Sequence, residues 1–313
     1  MLGGMERIRG AGDLILVRHH NRSGDGRVLQ RAADRGELRR LRSGAYVSAT
    51  IWDRLPEDDR RRLEAVAMAE MHPAFVASHR SAAALWHVPT IRPPDGLVHA
   101  RVSVAAGSRT EHGVRKHATH DPAQHLAVVD GIACTTLERT ALDLAATEAF
   151  DEAVVALDWV LGQGITKDRL RHVLDEWAPA HGRRRIEAAL AFADRDSGSP
   201  GESLSRVLIA DARLPAPILQ QPFFDRRGLI GYVDFWWPDF GLIGEFDGLK
   251  KYREADLLAG RTPGQVVIAE KVREDRLRAM TGHPRVHRWI WATLTTRGAL
   301  ARDLQLAGLP RLR

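Results

Sequence analysis

Four carboxylates in the C-terminal third carry the clearest chemistry in this sequence: Glu202, Asp234, Glu245 and Asp247. Lys250 and Lys251 follow Glu245 by five and six residues. Acidic side chains gathered near a core must be paired, protonated or bound to a cation. A hard divalent ion such as Mg²⁺, with Mn²⁺ as its substitute, accepts one or two carboxylates, keeps several waters and can hold a phosphate oxygen. Acids with a lysine close by therefore point to metal-dependent phosphodiester hydrolysis.

Recognisable elements must position these groups. Pro200 starts a helix whose buried face is Leu204, Val207, Leu208 and Ala212 and whose first turn carries Glu202. Strands are expected over 218–224, 230–237 and 242–247, the last two joined by the turn Pro238-Asp239-Phe240-Gly241. A hairpin symmetric about Asp239 and Phe240 sets Asp234 opposite Glu245 and Tyr232 opposite Asp247. Val233, Phe235, Trp237, Leu242 and Phe246 then make one face apolar, and the polar four share the other. A slip of one residue would undo the placement. The competing reading is a strand that ends at Asp247-Gly248 as an ordinary turn, with Glu245 on a wet face.

The N-terminal region offers a second chemistry. Val28, Leu29, Ala32 and Ala33 form a helical stripe stopped by Gly36, and Ser43-Gly44 leads into the strand-like Ala45-Tyr46-Val47, the outline of a winged helix. Arg27, Arg31 and Arg35 recur at a spacing that lines guanidinium groups along one helix face, and Arg42 extends the basic run. Such a stripe either contacts DNA phosphates or is a solvated face partly neutralised by Asp34 and Glu37. The middle region alternates helices and short strands: a helix over 57–71, a strand over 97–105, and a capping pair Thr135/Glu138 before an apolar helix. His112, His117 and His120 lie close in sequence, but Gly113 and charged neighbours suit a surface turn better than a metal centre.

The chain has 313 residues, 44% of them hydrophobic, enough for two or three domains. Its 46 Lys and Arg against 40 Asp and Glu leave a formal net charge of +6, compatible with a polyanionic partner. The single cysteine, Cys134, excludes an intrachain disulfide and a Cys-rich zinc site. The apolar run Leu14 to Val17 is too short for a signal or a membrane span, so a cytoplasmic protein with no membrane partner is expected. The Ser/Gly/Pro-rich segment 194–201 reads as a linker. The expected class is α/β (α+β): a winged helix over 1–50, an α+β region over 51–195, and a mixed sheet flanked by helices over 196–313.

The residues from about 196 to 300 resemble a known superfamily. Glu202 on its helix, Asp234 and Glu245 on paired strands, and the stretches "EFDGLKKY", "EKVREDRLRAM" and "HRWIWATL" are similar to the very-short-patch-repair-like branch of the PD-(D/E)xK nucleases. The resemblance implies a restriction-endonuclease-like fold, metal ligation by Asp234 and Glu245, and support from Glu202. Asp247 stands where the general pattern has lysine, so Lys251 or Lys271 would supply the cation, or Asp247 would be a further metal ligand, or the site would be inactive. Arg273 and Arg276 either contact phosphates or pair with neighbouring acids, and Trp289 and Trp291 read as sheet cover. Residues 5 to 190, with "GELRRLRSGAYV", "SHRSAAALWHV" and "TTLERTALDLA", resemble AbiEi-type antitoxins of type IV toxin–antitoxin systems, which implies promoter DNA as a partner and a separate toxin protein as another. The two resemblances imply either an endodeoxyribonuclease or a non-enzymatic regulator with a degenerate nuclease fold.

Overall fold

In a computed structural model, residues 14–16, 25–120, 123–248, 263–280 and 282–312 are described. In chain order the elements are β1 (Leu14–Leu16), α1 (Asp25–Asp34), β2 (Leu38–Arg42), β3 (Ala45–Ser48), α2 (Ala49–Arg54), α3 (Glu57–Met71), α4 (His79–Leu85), β4 (Val98–Ser103), β5 (Arg109–Glu111), β6 (Val114–Thr119), β7 (Leu126–Val129), β8 (Ile132–Thr135), α5 (Leu137–Thr147), α6 (Phe150–Gly162), α7 (Lys167–Trp177), α8 (Arg183–Phe192), α9 (Pro200–Asp211), β9 (Ile218–Asp225), β10 (Gly228–Trp237), β11 (Leu242–Asp247), α10 (Pro263–Arg278), β12 (Arg285–Ile290), α11 (Trp291–Thr295) and α12 (Ala299–Leu306). The class is mixed α+β. Among the described residues no helix is long and apolar enough to cross a membrane.

The chain divides into two compact units, Met1–Ala149 with Ile165–Leu190, and Phe150–Gly164 with Ala191–Arg313. The expected winged-helix region and most of the middle segment share the first unit, and α6 belongs to the second. In the first, β3 lies between β1 and β2, with Leu38 paired to Ser48 and Leu16 to Ala45. A second sheet runs β4-β6-β5, with β4 and β6 parallel. Ala77 bridges both Ala100 of β4 and Cys134 of the β7–β8 hairpin, which seals a core of Val66, Phe75, Leu85, Val98 and Ile132.

Local boundaries show which competing interaction won. The expected strand 97–105 is β4, ending at Ser103 because Val104–Ala106 turns into a 3₁₀ helix. The capping pair expected at Thr135/Glu138 moves by one residue: Thr136 is the cap and its hydroxyl accepts the Arg139 N–H at 3.3 Å, while Thr135 completes β8.

In the second unit the sheet order is β12-β11-β10-β9. β10 and β11 are antiparallel, pairing Phe235 with Gly244, Trp236 with Ile243 and Trp237 with Leu242, which is the register expected from the turn. β12 adds in parallel, with Glu245 beside Arg288. α9 packs on the aromatic face: Trp289 donates its indole N–H to Ser205 Oγ at 2.8 Å, and Phe235 sits 5.1 Å from Trp289. Gly201 leaves room for the Phe246 ring, into which a Cβ at this position would run. Trp289 is buried and Trp291 meets Phe246 edge-on at 5.3 Å, so both cover the sheet as expected. Leu277 of α10 enters a cluster with Phe223, Ile230, Val233 and Ile243. α6 joins α9 through Arg206 and Asp158, 2.7 Å apart and both largely buried.

Candidate active site

The hairpin register delivers the acids. Asp234 is the residue of β10 just before the ladder pair Phe235–Gly244, and its Oδ2 accepts the backbone N–H of Phe246 at 2.8 Å. Glu245 precedes Phe246 on β11 and is 7% exposed. The wet-face alternative for Glu245 is therefore overturned, because helix α10 lies over this side of the hairpin.

Glu202 sits in the first turn of α9. Its carboxylate accepts the Ser199 hydroxyl at 2.8 Å and the Gly198 N–H at 2.9 Å, and Ser199 in turn caps the helix through the Glu202 N–H. Gln220 joins this acid to the hairpin: its Nε2 lies 3.0 Å from Glu202 Oε2 and 3.4 Å from Asp234 Oδ1. It occupies β9 between the ladder pairs Val233–Gln221 and Phe235–Leu219, with φ +46°, a backbone region that non-glycine residues seldom adopt. Nothing in the sequence singled Gln220 out. It is uncharged, belongs to no spaced motif, and its role follows from the β9 register alone.

Glu245 is bracketed by arginines. Arg273 Nη2 of α10 lies 2.5 Å from Oε1 and Arg288 Nη2 of β12 lies 3.0 Å from Oε2. Glu270 completes the group, 2.9 Å from Arg273 and 2.5 Å from Arg288. Burial pushes the Glu245 carboxyl above its ordinary range, and the two guanidiniums only partly offset this. Burial also lowers Arg273, but hydrogen bonds and charge from Glu270 and Glu245 outweigh it and the net shift is upward. Arg273 thus pairs with Glu245 and Glu270, and Arg276 with Asp225 at 2.6 Å, not with their nearest sequence neighbours.

Asp234, Glu245, Asp247, Glu270, Arg273 and Arg288 line one pocket of about 310 Å³, with the exposed Tyr232 at its edge. Glu202 stands behind it, reached through Gln220. Lys250 and Lys251 lie outside the described residues. Lys271 is exposed on α10 and does not line the pocket. Among the described residues, no three His, Cys, Asp or Glu side chains are grouped so as to hold a metal ion. Two hard carboxylates still match the donor chemistry of Mg²⁺, which takes its remaining oxygens from water and phosphate. Ligation by Glu245 requires its guanidinium partners to let go of at least one oxygen.

The arginines expected to meet DNA separate into two kinds. Arg27 and Arg31 are exposed on α1. Arg35 lies past the helix end and chelates Glu37 at 2.6 and 3.0 Å, so it does not continue the stripe. Arg42 turns inward and donates to the carbonyls of His112 and Gly113 at 3.1 and 3.0 Å, where burial lowers its pKa. It holds β2 against the β5–β6 turn. Of the histidines, His112 and His120 are exposed, whereas His117 is hydrogen-bonded to His99 at 3.0 Å.

No known protein-family profile matches the chain. Two curated Mycobacterium tuberculosis proteins, "Uncharacterized protein MT2308" of strain CDC 1551 / Oshkosh and "Uncharacterized protein Rv2248" of strain H37Rv, are each 32% identical to it over 139 residues, 43% of this chain and 50% of theirs. The chain thus spans about half the length of the curated relatives it matches. The crystal structure of RV2827C protein from Mycobacterium tuberculosis covers 68% of this chain and 83% of its own at 15% identity, with a TM-score of 0.38.

Proposed function

We propose that the protein binds DNA and that its C-terminal unit hydrolyses phosphodiester bonds with the help of Mg²⁺ or Mn²⁺, as an endonuclease of the PD-(D/E)xK type. The observation that carries this reading is the gathering of Asp234 and Glu245 with Arg273 and Arg288 in one pocket of about 310 Å³: anionic oxygens for a hard cation beside guanidiniums for a phosphate. Asp234 and Glu245 would hold the metal, with Asp247, which also lines the pocket, as a further oxygen ligand. When bound, the ion would supply Lewis acidity toward a phosphoryl oxygen and lower the pKa of water.

The chain's own residues do the rest. Gln220 fixes the spacing of Asp234 and Glu202 with a neutral amide that adds no charge. Arg273 and Arg288 exchange Glu245 for the incoming phosphodiester, which exposes the carboxylate as the substrate's charge arrives. Lys251 is the candidate for steadying the attacking water. Exposed Arg27 and Arg31 contribute salt-dependent DNA affinity and little sequence information.

The test is nicking of supercoiled plasmid by the full chain in Mg²⁺ or Mn²⁺, with Asp234→Asn and Glu245→Gln abolishing it at unchanged folding. One observation favours a second reading: both Glu245 oxygens are already held by arginines. On that reading the protein is a non-enzymatic regulator of the AbiEi antitoxin kind, with promoter DNA and a separate toxin as partners. DNA binding without cleavage in either metal would select it.

A further inference from the structure

The first unit contains a cavity of about 520 Å³ that plays no part in the site above, within the size range of small-molecule sites. Its polar floor is made by His79, His117, Thr119, Arg139 and Asp143, and its wall by apolar atoms of Val104, Ala146, Trp177 and Pro179. These residues come from α4, β6, α5 and α7 and from the turns after β4 and α7.

The floor is rigidly built. Arg139 is 2% exposed, donates from Nε to Asp143 Oδ1 at 2.9 Å, and lies 3.7 Å over the Trp177 ring. The hydroxyl of Thr119 accepts from both Arg139 at 3.4 Å and the Trp177 indole at 3.3 Å, which leaves the hydroxyl proton to donate elsewhere. Beside it the imidazoles of His79 and His117 are stacked, with centroids 3.5 Å apart and planes within 14°. His79 is held at φ +46°, a strained position for a non-glycine residue. The order continues outward: His99 lies 3.0 Å from Asp95 through Nε2 and 3.0 Å from His117 through Nδ1. With His99 donating to Asp95, its Nδ1 accepts from His117.

Two properties decide what such a cavity takes. Stacked rings aim their nitrogen lone pairs in parallel planes, so His79 and His117 do not converge on one point as ligands of a metal must. The electrostatics also oppose a cation. Burial first, then neighbouring positive charge including Arg115, holds His79 and His117 neutral, and Arg139 acts on His79 in the same sense. Asp143 is paired with Arg139.

We infer that the cavity is a binding site for a small organic oxyanion, a carboxylate or a phosphate monoester carried on an apolar or aromatic body. The oxyanion meets the Arg139 guanidinium and the Thr119 hydroxyl proton beside the stacked imidazoles, and the body lies against Val104, Trp177 and Pro179. This inference is independent of the nuclease reading, since no residue is shared.

Calorimetry on the full chain tests it with four probes: phenyl phosphate, benzoate, inorganic phosphate and Zn²⁺ alone. Phenyl phosphate or benzoate is expected to bind one per chain, more tightly than inorganic phosphate, and the tighter of the two assigns the phosphate or the carboxylate class. Thr119→Val, which removes the donating hydroxyl and keeps the side-chain shape, should weaken that binding by about tenfold or more. Val104→Trp, at an exposed position on the cavity wall, should block it without disturbing the floor or the fold. The inference is overturned if neither organic anion binds at millimolar concentration, if binding survives both substitutions, or if Zn²⁺ binds in their place and is lost with His117.

Discussion

Arg273 of α10 and Glu245 of β11 meet at 2.5 Å inside the acidic pocket, so the carboxylate proposed to hold a metal already has a cation. Replacing Arg273 by Ala removes one of two guanidiniums and leaves Glu245 with Arg288 alone. The expected loss is about 1–3 kcal/mol, below that of a fully orphaned buried charge. Mg²⁺ should restore part of it, because the ion takes over the vacated counter-charge role, and should shift the melting of the original chain less. Thermal melts of both proteins with and without Mg²⁺ check this; equal shifts would remove the support for Glu245 as a ligand.

Arg206→Ala should be more damaging. It leaves Asp158 buried without its guanidinium, with only neutral partners, the Asp194 N–H at 2.7 Å and the Ser203 hydroxyl. Burial already pushes this carboxyl up. A cost of about 3–5 kcal/mol is expected in urea unfolding. The double variant Arg206→Met with Asp158→Leu should recover most of it.

The two kinds of N-terminal arginine should part in a salt titration of the proposed DNA binding. Substituting Arg27 and Arg31 together is expected to reduce the slope of log affinity against log salt by about 2. Arg42→Ala should leave the slope unchanged and destabilise the fold by about 1–3 kcal/mol through the lost hydrogen bonds to the His112 and Gly113 carbonyls, the second of which keeps the Val98 N–H.

Gly201→Ala tests the packing of α9 on the sheet. The added methyl would strike the Phe246 ring, and that ring is enclosed by Trp291. The expected loss is about 1–3 kcal/mol despite alanine's better helix propensity. A stabilised Gly201→Ala protein would contradict the described contact.

Acid should weaken the first unit selectively. Burial, then the charges of His99 and Arg115, pushes His117 down from 6.5 to about 3, and His79 and His99 shift the same way. Between those values an unfolded chain takes up protons that the folded unit refuses, so stability is full above about pH 6.5 and falls as pH drops toward 3. Denaturant midpoints should decline steadily across this window, and His117→Gln should flatten the decline.

Local patterns make much of the C-terminal unit legible. The turn at 238–241 and the two-residue alternation determine the β10–β11 register, and Pro56 with the acids after it marks the start of α3. Long-range pairings are not legible. Arg288 reaches Glu245 because β12 returns parallel to β11, and His79 meets His117 because the chain entering α4 bonds to β4 through Ala77 and Ser78 while β6 lies beside β4; neither sequence segment announces its neighbour. Arg42 reads as part of a basic run because composition counts charges without showing which way a side chain turns.

Gln220 sets heat resistance against chemistry at a single codon. Its left-handed backbone carries a strain of about 1 kcal/mol or more, which glycine would relieve. Glycine would also delete the amide between Glu202 and Asp234. A population selected only for surviving high temperature should drift toward glycine at this position and lose the alignment of its acids, whereas one selected for the activity of those acids should keep glutamine and tolerate the strain.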